Sequence, residues 1–168
     1  MSYSSCRSSL GAALLMSSSL AVAPPTRPTP AYQAHLAGAI TLELRGATAE
    51  FGKAPGSPRP FVITLGATSE TGAVLFTRWD GSRPGAGTYE VTPEPSAGGI
   101  QALVVTGSPT RPTGVFRARQ GSLTITSSRV GRISARFQMD AVGFLASEPE
   151  REDRELSVKG SFTASPPR

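Results

Sequence analysis

Arg132-Ile133-Ser134-Ala135-Arg136-Phe137-Gln138-Met139-Asp140-Ala141 decides the fold: Ile133, Ala135, Phe137, Met139 and Ala141 alternate with Arg132, Ser134, Arg136, Gln138 and Asp140. A period of two puts one set on each side of an extended chain, so the stretch reads as a β-strand with a dry face and a wet face. The same alternation runs through Leu156–Ala164, Ile40–Leu44 and Leu123–Ile125. It predicts an antiparallel sheet.

Outward from that stretch, apolar runs and turn clusters alternate. The expected strands are Gly38–Arg45, Ala47–Gly52, Phe61–Gly66, Ala73–Trp79, Thr88–Thr92, Ile100–Thr106, Val115–Arg119, Gly121–Ser127, Arg132–Val142 and Glu155–Ala164. All 15 prolines fall outside these runs, as a residue without an N–H to give the ladder requires. Turn clusters such as Pro55-Gly56-Ser57-Pro58, Asp80-Gly81-Ser82 and Pro95-Ser96-Ala97-Gly98-Gly99 separate them. This spacing predicts an all-β fold, an antiparallel β-sandwich or a flattened meander barrel of nine to ten strands. Two glycines interrupt strand patterns. Gly121 either turns one strand into the next or kinks a single long one, and Gly160 breaks the inward series Leu156, Val158, Phe162.

Residues 1–23 have the layout of a signal peptide: Arg7, then the apolar Ala/Leu/Met/Ser-rich stretch Leu10–Ala23, with small residues at Ser19, Ala21 and Ala23 for cleavage. The apolar stretch is short of the ~20 residues a membrane-spanning helix needs. A proline-rich linker is expected over residues 24–36 and a single β-domain over 37–165. Cys6, the only cysteine, lies in the leader, so the mature domain is expected to have neither disulfide nor thiolate chemistry. Export to the periplasm or the medium follows as the expected location.

The net charge is +5, and Lys53 and Lys159 are the only lysines among 17 basic residues. The arginines are scattered over outward strand positions (Arg45, Arg117, Arg119, Arg136) and loops (Arg59, Arg83, Arg111, Arg151, Arg154). That pattern reads as a solvated surface rather than a nucleic-acid footprint.

Catalytic residues are few. His35, the only histidine, falls in the expected linker. No G-x-S-x-G elbow, phosphate-binding loop or H-E-x-x-H motif is present. Glu43, Glu50, Asp80, Glu90 and Asp140 are carboxylates with no pairing visible in the sequence, whereas sugar hydrolysis needs two that converge. The run Glu148–Glu155 lacks the glycine and oxygen spacing of a calcium loop, and its arginines mark a solvated connection. No metal or cofactor is expected. Phe51, Phe61, Phe76, Phe116, Phe137, Phe144 and Phe162 are assigned to the core. Trp79, at a strand end beside Asp80-Gly81, and Tyr89 are the candidate ligand contacts.

Gly121-Ser122-Leu123-Thr124-Ile125-Thr126, Ile133-Ser134-Ala135-Arg136-Phe137, Val158-Lys159-Gly160-Ser161-Phe162 and the Gly87-Thr88-Tyr89 hairpin resemble small exported bacterial all-β domains of unassigned function. The resemblance implies an envelope or secreted β-domain and transfers no site residues. The expectation for function is a non-enzymatic binding or structural role, with an envelope protein, a polysaccharide or a small apolar ligand as partner. The alternative is a lipocalin-like carrier with an apolar interior. An adhesive surface would require Arg117, Arg119, Arg136 and Lys159 on one face.

Overall fold

The computed structural model describes residues 29–56, 59–96 and 98–167. Its elements are β1 (Tyr32–Gly38), β2 (Leu42–Gly46), β3 (Ala49–Lys53), β4 (Phe61–Leu65), β5 (Gly72–Arg78), β6 (Gly87–Val91), β7 (Gln101–Ser108), β8 (Arg111–Arg129), β9 (Arg132–Leu145) and β10 (Arg154–Ala164). They form one sheet in the order β2-β1-β10-β9-β8-β7-β5-β4-β3, with β6 on β8, and every pairing is antiparallel. The described residues hold one sheet and no second one, so the sandwich alternative gives way to a barrel-like one. The expected signal segment lies outside the described residues.

The sheet nearly closes on itself. Just past β10, the Phe51 N–H donates to the Ser165 carbonyl and the Ser165 N–H to the Ala49 carbonyl, each at 3.0 Å, so β3 meets the end of β10. The β1–β2 hairpin covers the rest of that β10 edge, through pairs running from Tyr32↔Phe162 to Gly38↔Leu156. On the far side, β7 pairs with the first half of β8 and β6 with the second half. The closure is partial, since among the described residues β2 has a ladder partner on one side only.

Three sequence expectations are corrected. The first strand begins at Tyr32, inside the expected linker, because Tyr32, Ala34 and Leu36 are buried while Gln33 and His35 face outward. Gly38–Arg45 is two strands, the chain turning between Gly38 and Leu42. Val115–Arg119 and Gly121–Ser127 are one 19-residue strand, β8, kinked by a register shift between Ala118 and Gln120 and by Gly121 at φ +150°. An L side chain rarely adopts that φ, so glycine lets the strand bend without breaking. Pro112 lies inside β8, where it pairs only with Gly107 next to a second register shift.

Inside, Phe76, Phe137 and Phe162 meet with ring centroids 5.0, 5.9 and 6.2 Å apart, and Phe51 stacks on Phe61 at 5.7 Å. Leu36, Leu44, Ile63, Leu65, Val104, Phe116, Leu123, Ile125, Ile133 and Leu156 are among the fully buried side chains around them. Burying each such side chain favours the folded state by ~1.5–3 kcal/mol. Phe144 is the exception among the phenylalanines. It is half-buried and outside this core, since even-numbered positions of β9 face outward and Phe137, at an odd one, faces in. Thr106, a buried polar residue, bonds the Thr113 hydroxyl at 3.0 Å.

Candidate binding face

Trp79 and Tyr89 leave the sheet on opposite sides. Tyr89 sits opposite Leu123 and so faces inward, half-buried against the core, its hydroxyl donating to the Gly85 carbonyl at 3.1 Å. The Arg78 guanidinium lies 5.2 Å above its ring. Trp79 continues the outward column of β5 and is 41% exposed. Its indole N–H donates to the Gln101 side-chain oxygen, and the Gln101 amide donates in turn to the Pro93 carbonyl at 2.7 Å. Trp79 is therefore a braced outer ring, and Tyr89 part of the wall around Arg78.

Asp80 anchors the turn between them. It pairs with Arg78 at 2.9 Å and accepts the Ser82 N–H and hydroxyl, each at 2.8 Å. The Arg78 hydrogen bonds, then those of Ser82, lower its pKa from 3.8 to about 2. The other carboxylates are spread over separate strands. Glu43 pairs with Arg45 at 2.9 Å, Asp140 accepts from Gln120 at 3.0 Å, Glu50 lies opposite Thr64 and Glu90 opposite Ser122. The acidic connection pairs internally, Arg154 with Glu148 and Arg151 with Asp153. Among the described residues no three His, Cys, Asp or Glu side chains group as metal ligands.

The four expected cations separate into two pairs. Arg136 and Lys159 share a shallow depression of about 400 Å3 with Gln33, His35, Glu43 and Arg45. The ladder explains it: Glu43, His35, Lys159 and Gln138 are successive partners, as are Arg45, Gln33, Ser161 and Arg136. Arg117 and Arg119 lie elsewhere, on the first half of β8.

That other region is the feature the sequence reading passed over. Ala73, Val105, Val115 and Phe144 are successive outward partners across β5, β7, β8 and β9, and Leu75, Leu103, Arg117 and Val142 form the next row. Val62 of β4 adds to the edge, opposite Thr77. Apart from Ala73, which is buried, and Arg117, which is exposed, these residues are half-buried. The barrel therefore has a polar outer wall over β1, β2, β10 and the start of β9, and an apolar one over β4, β5, β7 and the start of β8. The signal was legible: Phe61–Ile63, Ala73–Phe76 and Ala102–Val105 are apolar on both faces, a pattern that marks strands covered on both sides. Comparison with family models, with curated proteins and with solved structures gives no match to this chain.

Proposed function

We propose that this chain is an exported, non-enzymatic domain that binds through the outside of its barrel. The observation that carries the reading is the apolar row Ala73–Val105–Val115–Phe144, four strands wide on the outer wall. A contiguous apolar patch on an outer surface is characteristic of an interaction site. The leader over residues 1–23 supports export, and the dispersal of Glu43, Glu50, Asp80, Glu90 and Asp140 supports a role other than sugar hydrolysis.

The carrier alternative puts the ligand inside. Phe76, Phe137 and Phe162 occupy that space with their rings in contact, which supports the outer surface instead. Native mass spectrometry of the chain recovered from its host's periplasm or medium tests both parts. The expected result is a bare mature chain shortened by the leader. A retained small apolar molecule overturns the reading in favour of a carrier, and a full-length chain found only in the cytoplasm overturns export.

A further inference from the structure

We propose that β2 is a pairing edge for a second copy of this chain, the two strands joined antiparallel through Glu43 and Arg45 in a two-fold dimer. The inference goes beyond the outer-wall reading, because it uses the edge of the sheet and not its apolar face.

Main-chain direction comes first. At the two ends of β1 the Ala39 N–H donates to the Glu155 carbonyl at 2.8 Å and the Thr163 N–H donates to the Ala31 carbonyl at 2.7 Å. Odd-numbered residues there turn toward β10, so Tyr32, Ala34 and Leu36 turn toward β2, where their partners are Gly46, Leu44 and Leu42. Glu43 and Arg45 alternate with those partners, so their N–H and C=O groups point away from β1. Among the described residues no group bonds to them, and β1 is the only strand paired with β2. The Arg45 and Glu43 side chains are 63% and 64% exposed, so the outer side of this edge is open. A row of free ladder groups is a template for another strand.

Charge chooses the occupant. Laid antiparallel to a copy of itself with Leu44 on the two-fold axis, β2 sets Glu43 opposite Arg45 of the second copy and Arg45 opposite Glu43 of the second copy. In that register both pairs are of the hydrogen-bonded kind, each exchanging its two free main-chain bonds. Sliding the copy by two residues either way keeps the bonding but opposes Glu43 to Glu43 or Arg45 to Arg45, which is unfavourable. The ion pair between Arg45 and Glu43 within one chain, at 2.9 Å, is compatible with the dimer, since the signs then alternate along each strand as well as across it. An edge of one sign would repel its own copy; this edge is complementary to it. The next charges along the same rows are Lys159, two strands or about 10 Å inward, and Arg136, three strands inward.

Sedimentation velocity of the chain from about 10 μM to about 1 mM tests this, a range suited to a contact one short strand wide. The expected result is a monomer–dimer equilibrium in which amide exchange at Glu43 and Arg45 slows as concentration rises, while exchange at Leu44, which pairs with Ala34, stays as it is. R45E or E43R should weaken the dimer at least about tenfold by opposing like charges. E43R with R45E in one chain reverses both signs, keeps the order complementary and should recover the dimer. An equimolar mixture of the two single variants should assemble where neither does alone. Unchanged exchange at Leu44 shows that the strand itself is intact in each variant. A monomer throughout, a dimer indifferent to R45E and E43R, or no recovery in the double variant overturns the proposal. So does a monomer whose Glu43 and Arg45 amides are already protected, since another segment then holds the edge. L103T with V105T separates the two levels: a dimer that these split and R45E does not belongs to the outer wall, and leaves that reading standing without this one.

Discussion

Gly160 faces Phe137 across the β9–β10 ladder, and the Phe137 ring occupies the volume that a side chain at position 160 would need. The Gln33 carbonyl approaches the same point from β1. A glycine opposite an aromatic on the concave side of a sheet lets the ring lie over the backbone and the strand bend around it. This is how three phenylalanines fit within one barrel.

Gly160→Ala should therefore destabilise the fold by ~1–3 kcal/mol through overpacking, read as a lower urea midpoint with unchanged slope. Phe137→Leu combined with it should restore part of the loss but not all, because the Gln33 carbonyl still crowds the new methyl. A double-mutant cycle measures that coupling. Simple additivity would show that the ring and the glycine do not share the space.

Arg83 ties the end of the barrel. From the loop before β6 it donates to the carbonyls of Arg129 and Arg132, which flank the β8–β9 turn, and its guanidinium lies 4.7 Å over the Phe51 ring of β3. Arg83→Ala should cost ~1 kcal/mol and raise amide exchange at Val130 and Gly131 before it raises exchange in the core. Arg83→Lys should fall between wild type and Ala, since an ammonium can donate to both carbonyls as the single Nη2 does here but has no flat guanidinium to stack on the Phe51 ring. Unchanged exchange at the turn in both variants would count against the tie.

Much of the wall pattern was written in single residues. Ile133 to Ala141 named the inner face of β9 correctly, and the same alternation carried on past Phe137 would have put Phe144, assigned to the core, on the outer face. Tyr32, Ala34 and Leu36 carry the same alternation, but the prolines before them masked it, so β1 was read as linker. The union of β8 into one strand was not legible, because Gly121 signals a turn and a kink equally and only the unbroken pairing to β9 decides. Trp79 was legible as a strand-end aromatic. Its bond to Gln101 joins residues 22 apart in the chain and depends on β5 lying beside β7.

Asp80 gives the fold a pH-dependent increment. Its folded pKa is lowered from 3.8 to about 2 by Arg78 and Ser82, so the unfolded chain takes up a proton first as acid is added. The increment is fully present above pH ~4 and is lost as pH falls toward 2. The pair is exposed and screened, so its size is under about 1 kcal/mol. Asp80→Asn should lower the thermal midpoint near neutrality, and the difference from wild type should shrink between pH 4 and 2. A difference that stays constant over that range would show that charge is not its source.

Val104 and Val105 are adjacent on β7 and serve opposite walls. Val104 is fully buried opposite Phe116 and Val74, whereas Val105 is half-buried on the outer row between Ala73 and Val115. Threonine keeps the branched shape in both cases and adds a hydroxyl. At 104 that hydroxyl enters an apolar interior and should cost ~1–3 kcal/mol, while at 105 it meets solvent and should change stability by less than about 0.5 kcal/mol. Urea titrations of the two variants separate the faces, and the reverse order would mean that the strand is registered one residue out. Because Val105→Thr keeps the fold while taking apolar area from the outer wall, any binding it loses belongs to that wall and not to the core beneath it.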